Sequence, residues 1–126
     1  MIIICLLLLL FNINTPTTPA QGPHLSFVEK RIITCSEVKT GEIVNTSIAF
    51  VNDGDEDLMI TDMERTCNCT DVDFPIGPVH PGETGIIKVS VNTDGKIGNQ
   101  VIVIKLFLNS DQNYSIIRLN IPVSLK

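Results

Sequence analysis

Hydrophobic and polar residues alternate along several segments of this sequence, and this alternation limits the possible folds more than any other feature. In residues 44–50, every second side chain from Val44 to Phe50 falls on one side of an extended strand. The same period of two recurs in residues 87–91, 102–108 and 117–123. A period of two is typical of half-buried β-strands, and no segment shows the sustained stripe of an amphipathic helix.

The composition of residues 21–126 favours strands in the same way. They contain 14 Ile, 11 Val and 8 Thr, against six Leu, two Met and one Ala. Side chains that branch at Cβ lose rotamer freedom in a helix and pack well on a pleated sheet. We therefore expect sheet structure throughout this part of the chain.

Turn signals rich in Gly, Asn and Asp separate the alternating segments. They occupy residues 39–42, 52–55, 80–83, 92–95 and 109–113. Short strands at such spacing, in one stretch of this length, are typical of an immunoglobulin-like fold. The sequence predicts an all-β, immunoglobulin-like antiparallel β-sandwich of about seven strands over residues 21–126, with a small barrel as the rival architecture.

The first residues have the character of an export signal. Residues 1–11 are all apolar, a run shorter than the ~17–25 residues that span a membrane. Small residues at Thr18 and Ala20 predict a signal peptide over residues 1–20, although no Lys or Arg precedes the apolar run. Cys5 lies at the start of that run, which argues against a lipoprotein acceptor. We expect a secreted or periplasmic protein without a stable membrane span after cleavage.

Charge and aromatic content argue against nucleic acid as a partner. The formal net charge is −5, and only 5% of the residues are aromatic, with no Trp. Nucleic-acid binding needs a basic surface against phosphate and flat side chains on which bases stack.

Sequence patterns that carry catalysis are lacking. No Gly-x-Ser-x-Gly motif and no glycine-rich phosphate loop occurs, and His24 and His80 are the only histidines. Asp53, Asp55 and Asp57 imitate the spacing of an EF-hand loop, but Leu58 stands where that loop needs Gly. We therefore expect a solvated hairpin turn at this segment and a chain that is not an enzyme.

Three cysteines, Cys35, Cys67 and Cys69, follow the leader and are disulfide candidates. Exported domains tend to form disulfides, and an odd number of thiols leaves one unpaired. A bridge from Cys67 to Cys69 needs a bent loop, whereas a bridge from Cys35 to either would join distant strands. The pairing stays open at this point.

The same thiols could instead bind a soft metal or exchange electrons. Cys67 and Cys69, with Cys35 or His80 nearby, offer ligands for Cu(I) or Zn(II). A redox role would need a lowered thiol pKa, but Arg65 is the only cation close by in sequence, and the carboxylates of Glu64, Asp71 and Asp73 oppose it.

Four short motifs follow one another in a recognisable order. They are Asn52-Asp53-Gly54-Asp55, Leu58 with Ile60, Cys67-Asn68-Cys69-Thr70 and Pro81-Gly82-Glu83. This order resembles the secreted bacterial domain-of-unknown-function family 1573 over residues 34–122, except that the family usually has Gly in the place of Asn68. The resemblance implies an immunoglobulin-like fold and export from a bacterium, and it implies no reaction.

These observations predict an exported, non-enzymatic binding or structural module of the bacterial cell envelope. Its partner would be a protein or an envelope polymer, held by surface complementarity or by strand addition at an open sheet edge. The alternative is a thiol-redox or soft-metal-binding protein that uses Cys67 and Cys69.

Overall fold

Nine β-strands and no helix make up the part of the chain that the computed structural model describes, residues 22–126. They are β1 (Leu25–Phe27), β2 (Ile32–Thr34), β3 (Val38–Lys39), β4 (Ile43–Asn52), β5 (Ile60–Arg65), β6 (Thr70–Asp73), β7 (Thr84–Asn92), β8 (Gly98–Leu108) and β9 (Tyr114–Ser124). Within this part no helix has the length and apolar character needed to cross a membrane. The predicted signal peptide, residues 1–20, and Cys5 lie outside the described residues.

The strands form two sheets that pack face to face. One sheet has the order β1-β4-β7-β6, and the other has the order β2-β9-β8-β5, with β3 also paired to β9. Because the strands form two separate sheets, the predicted sandwich is confirmed and the alternative of a small barrel is not. Pairing is antiparallel except that β2 and β3 run parallel to β9. These two strands, of three and two residues, raise the number above the predicted seven and are too short to show a period.

The predicted alternation fills the space between the sheets. On β4, Ile48 and Phe50 are buried, while Val44 and Thr46 at its outer end are half-buried. The buried positions of the other long strands are Ile87, Val89, Val91, Ile102, Ile104, Leu106, Leu108, Ile117, Leu119, Ile121 and Val123. Burying one such side chain contributes about 1.5–3 kcal/mol, so this shared apolar layer is the main source of stability.

A buried amide organises one end of the sandwich. Asn52 is fully buried at the end of β4. Its Nδ2 donates to the carbonyl oxygens of Glu56, at 2.7 Å, and Val79, at 2.8 Å. Its Oδ1 accepts from the backbone N–H groups of His24, at 3.3 Å, and Gly54, at 3.0 Å. Four hydrogen bonds use the full capacity of the amide, so its burial leaves no polar atom unpaired.

The backbone of Asn52 brings two sequence motifs together. Its N–H donates to the carbonyl of Glu83 at 3.0 Å, and its carbonyl accepts from the N–H of Gly82 at 2.7 Å. The Asn52-Asp53-Gly54-Asp55 and Pro81-Gly82-Glu83 segments therefore meet at one place, which we call the Asn52 corner. Gly54 is needed there because a Cβ atom would lie 2.0 Å from the carbonyl oxygen of Gly22.

Gly85 lets β7 pass close to the largest buried ring. Gly85 stands opposite Phe50 in the pairing of β4 with β7, and Phe50 is fully buried. A Cβ atom at position 85 would lie 2.3 Å from Cζ of Phe50. The ring of Phe50 thus occupies the space that any other residue at position 85 would need.

Replacing Gly85 with Ala is expected to lower the free energy of unfolding by about 1–3 kcal/mol, because the new methyl group overlaps the Phe50 ring. Gly77→Ala is the matched control, since a Cβ atom there meets nothing within 4 Å. We expect that control to change the free energy by less than about 0.5 kcal/mol. Urea unfolding followed by circular dichroism measures both, and equal values would contradict the packing described here.

Replacing Asn52 with Ala is expected to lower the free energy of unfolding by about 2–3 kcal/mol, because the carbonyl of Glu56 and the N–H groups of His24 and Gly54 lose this partner. The carbonyl of Val79 loses one of its two donors and keeps the N–H of Leu58. Asn45→Ala is the control on the same strand, since Asn45 is exposed. Melting temperature and urea unfolding compare the two variants. A cost for Asn52→Ala within about 0.5 kcal/mol of the control would show that the corner does not depend on this amide.

Candidate functional site

A disulfide joins Cys67 to Cys69 in the loop between β5 and β6. The two Cα atoms are 5.1 Å apart, within the usual range for a bridge. The backbone turns sharply there, and the N–H of Thr70 donates to the carbonyl of Cys67 at 3.2 Å. Of the pairings that the sequence leaves open, the structure has the bridge from Cys67 to Cys69. Among residues 22–126, Cys35 is the free cysteine.

The ring is anchored to both sheets. Before it, Thr66 exchanges two hydrogen bonds with Val103 of β8, from N–H to carbonyl at 3.1 Å and from N–H of Val103 to Oγ1 at 3.0 Å. After it, the carbonyl of Cys69 accepts from the N–H of Asn92 of β7 at 2.9 Å. The loop is therefore a fixed element of the sandwich and not a free arm.

Each sulfur of the ring has a hydrogen-bond donor close by. The backbone N–H of Cys69 donates to Sγ of Cys67 at 3.2 Å. Oγ1 of Thr70 lies 3.7 Å from Sγ of Cys69, and Thr70 is fully buried. This contact places the hydroxyl of the buried Thr70 against a sulfur of the ring.

An open groove of about 220 Å³ lies beside the ring. Its walls are formed by Thr66, Cys67, Cys69, Val91, Thr93, Lys96, Gln100, Val101 and Ile102. Sequence reasoning missed Lys96 as a cation near the thiols, because it lies 27 positions beyond Cys69. The pairing of β6 with β7 brings them together, and Lys96 follows β7 in the turn before β8.

The Cys67–Cys69 bridge contributes little to the stability of the fold. In the chain-entropy description, a bridge stabilises a protein by restricting the unfolded chain, and the effect grows with the loop that it closes. A loop of three residues corresponds to about 1.6 kcal/mol, against about 3 kcal/mol for a loop of fifteen. A bridge from Cys35 to either partner would have closed a far longer loop, so this pairing stabilises the domain less than the alternative would.

Cys35 comes directly after β2, an edge strand of the second sheet. Its N–H donates to the carbonyl of Asn120 at 2.8 Å, and its side chain is half-buried against the core. Burial raises the pKa of the Cys35 thiol, which lowers its reactivity at neutral pH.

The predicted soft-metal set is not assembled by the fold. His80 lies in the turn before β7, where its Nδ1 is 2.7 Å from Oδ1 of Asp57, and this hydrogen bond raises the pKa of His80. Cys35 is free of the ring, and Cys67 and Cys69 are bonded to each other. Among residues 22–126 no group of three or more His, Cys, Asp or Glu side chains is placed to hold a metal ion.

The acidic segment after β4 is a crossover between the sheets, so the predicted hairpin turn is wrong. β4 and β5 belong to different sheets, because Asn52 directs the chain across the end of the sandwich. The carboxylates have separate partners instead of a shared centre. Asp53 accepts from Oγ of Ser26 at 2.7 Å, and Asp55 accepts from N–H of Gly22 at 2.6 Å.

His24, Ser26 and Asp53 form a cluster that resembles a catalytic triad in composition only. A triad places the imidazole between hydroxyl and carboxylate and uses both ring nitrogens. Here Nδ1 of His24 contacts Asp53 and also lies 3.3 Å from Oγ of Ser26, whose hydroxyl donates to Asp53. Although partial burial raises the pKa of Asp53, the bonds from Ser26 and His24 lower it below its ordinary value.

β4 has an unpaired edge along its first half. On one side it pairs with β7 from Ile43 onwards, but on the other side β1 pairs only with residues 50–52. A bond from N–H of Val28 to the carbonyl of Ala49, at 3.1 Å, continues that ladder by one step. Backbone groups alternate in direction along a strand, so those of Ile43, Asn45 and Ser47 point away from β7. No described strand pairs with this side of residues 43–47, which we call the open edge.

Three other edge strands, β5, β1 and β6, carry features that discourage pairing, whereas residues 98–102 of β8 and 84–87 of β7 also lack a described partner on one side. β5 has a bulge between Ile60 and Asp62 and carries Glu64 and Arg65. β1 and β6 are only three and four residues long. Bulges, charges and shortness all discourage strand addition, and the open edge has none of these features.

Alkylation of the domain of residues 21–126 without reduction is expected to add one group, on Cys35. Alkylation after reduction should add three groups to the domain, because the Cys67–Cys69 bridge then opens. Intact mass and peptide mapping measure the number and the positions. Three groups before reduction, or a bridge that maps to Cys35, would contradict the ring.

Comparison with solved structures places the sandwich among known folds. A protein of unknown function from Porphyromonas gingivalis W83 matches with a TM-score of 0.70 at 15% identity, over 86% of this chain and 50% of that one. The PapD-like domain 7 of human CEP192 matches with a TM-score of 0.62 at 10% identity, over 86% of this chain and 89% of that domain. The secreted serine protease VesC of Vibrio cholerae matches at 0.58 and 14% identity, over 79% of this chain and 23% of the protease.

At these identities the likeness concerns the fold alone, and it confirms the predicted immunoglobulin-like sandwich. The chain spans half the length of the Porphyromonas protein and less than a quarter of the protease. A search of curated proteins finds no match. A family model described as a protein of unknown function, DUF1573, matches residues 26–123, nearly the whole of the sandwich, and the chain therefore belongs to the DUF1573 family.

Proposed function

We propose that this chain is an exported, non-enzymatic module of the bacterial cell envelope that binds a partner protein by strand addition. The open edge of β4 is the observation that carries this proposal. An extended segment of the partner would lie beside residues 43–47 and would continue the first sheet by one strand.

The residues of the open edge suit this role. Residues 43–47 hold no charge, no Pro and no Gly, and three of the five branch at Cβ. The backbone groups of Ile43, Asn45 and Ser47 offer main-chain hydrogen bonds to a partner strand, which would supply affinity. Their side chains lie on the outer face of the sheet, where Ile43 is 61% exposed, and could select among partner sequences.

Export to an oxidising compartment is supported by two independent features. The apolar residues 1–11 with small residues before position 21 have the pattern of a signal peptide. The Cys67–Cys69 disulfide is a bond that persists outside the reducing cytosol.

A binding role without catalysis is supported by the surface cluster of His24, Ser26 and Asp53. This cluster lacks the order of groups that a hydrolytic triad needs.

Replacing Asn45 with Pro should block the open edge and leave the domain folded. The N–H that is lost points away from β7, so the free energy of unfolding is expected to fall by less than about 1 kcal/mol. Thr46→Pro is the matched control on the adjacent residue, whose N–H points toward β7. We expect it to cost at least about 2 kcal/mol, because it breaks the ladder with β7. Urea unfolding separates the two cases.

Binding is tested with a photoreactive amino acid at Ser47 of the full chain in its native envelope. We expect a discrete cross-linked product that weakens about tenfold when Asn45→Pro is added, since one hydrogen bond is lost and the proline ring obstructs the incoming strand. The same photoreactive residue at Asp111, in the loop between β8 and β9, is the positional control. A product that persists with Asn45→Pro, or appears only at Asp111, would exclude strand addition at this edge.

A further inference from the structure

We propose that the Cys67–Cys69 ring is a thiol–disulfide exchange site that oxidises pairs of thiols in extended polypeptides, with Thr70 as a positioning residue. This activity lies at a different place from the open edge of β4 and does not depend on strand addition. Three features of the ring carry it: access to the sulfurs, stabilisation of the thiolates and a favourable local charge.

Access comes from the groove beside the ring. Both sulfur-bearing residues are half-buried and line an open groove of about 220 Å³. Polar side chains of Thr66, Gln100 and Lys96 line the same groove. A structural bridge is usually enclosed by apolar packing, whereas this bridge faces a surface that a polar peptide can enter.

Thiolate stabilisation comes from the two donors that face the sulfurs. In the closed ring, the backbone N–H of Cys69 lies 3.2 Å from Sγ of Cys67, and the hydroxyl of Thr70 lies 3.7 Å from Sγ of Cys69. Both donors remain beside their sulfurs when the bridge opens. Among the described residues, Sγ of Cys69 is the hydrogen-bond partner found for the buried hydroxyl of Thr70. A donor aimed at a sulfur favours the charged form, and a better-stabilised thiolate is a better leaving group.

Local charge adds to this effect. Lys96 brings a cation to the groove, and a cation near a thiol favours the thiolate. Asp71 and Asp73 are close in sequence, but they are exposed residues of β6 and pair with Ser90 and Lys88 of β7 on the outer side of the first sheet.

The exchange balances without any further reactant. A substrate thiolate attacks Sγ of Cys67, a new S–S bond forms, and Cys69 leaves as a thiolate beside the Thr70 hydroxyl and then takes up a proton. The second substrate thiolate then attacks its own partner's sulfur, and Cys67 leaves as a thiolate. Two electrons pass from the substrate dithiol to the ring, so the substrate gains a disulfide and the ring becomes two thiols.

The test uses the oxidised full chain, purified from the envelope, and a synthetic peptide with two cysteines separated by a short Gly/Ser spacer. We expect each folded chain to oxidise one peptide at neutral pH, with Cys67 and Cys69 becoming open to alkylation. Thr70→Val keeps the shape of the side chain and removes the hydroxyl, so the exchange rate should fall about threefold for each pKa unit of thiolate stability that is lost. Thr70→Ser should restore most of the rate.

Controls separate this chemistry from folding and from the open edge. Thr46→Val makes the same chemical change on β4 and should leave the rate unchanged, as should Asn45→Pro. Circular dichroism confirms that each variant is folded. A ring that the peptide reduces only after the domain unfolds would overturn the proposal, and so would equal rates for Thr70→Val and the unchanged chain.

Discussion

The four hydrogen bonds of one buried amide, that of Asn52, decide how the chain is arranged at one end of the sandwich. They join the entry to β1, the crossover after β4 and the turn before β7. Because the backbone of Asn52 also pairs with Gly82 and Glu83, the same residue sets where β7 begins against β4. That register places Gly85 under Phe50 and lets the largest ring of the core fill the space between the sheets.

The two ends of the sandwich have different physical characters. At the Asn52 corner, polar groups form hydrogen bonds with one another and hold the chain in place. At the opposite end, the Cys67–Cys69 ring is tied to both sheets yet faces an open groove. β1 pairs only with residues 50–52 of β4, and the chain then crosses to the second sheet, where β2 pairs with β9. The first half of β4 is therefore left as the open edge. One crossing of the chain thus leaves the open edge of β4 without disturbing the core.

Much of the fold could be predicted because burial follows a period of two. The alternating residues of β4, β7, β8 and β9 identified both the strands and the side that faces the core. β2 and β3 escaped prediction because three and two residues cannot display a period, and their pairing with β9 is a long-range event. The crossover after β4 was mistaken for a hairpin because turn residues mark a change of direction and do not say which sheet follows.

The sequence by itself determined the class of fold, the inward faces of the long strands and the family, since each rests on local patterns of side chains. Tertiary structure alone decided the pairing of Cys67 with Cys69, the approach of Lys96 to them and the isolation of His80 beside Asp57. It alone decided, too, that no strand within residues 22–126 pairs with one side of the first half of β4. Local patterns report whether a residue is buried, but contacts between distant segments depend on the path of the whole chain, and no short stretch of sequence encodes that path.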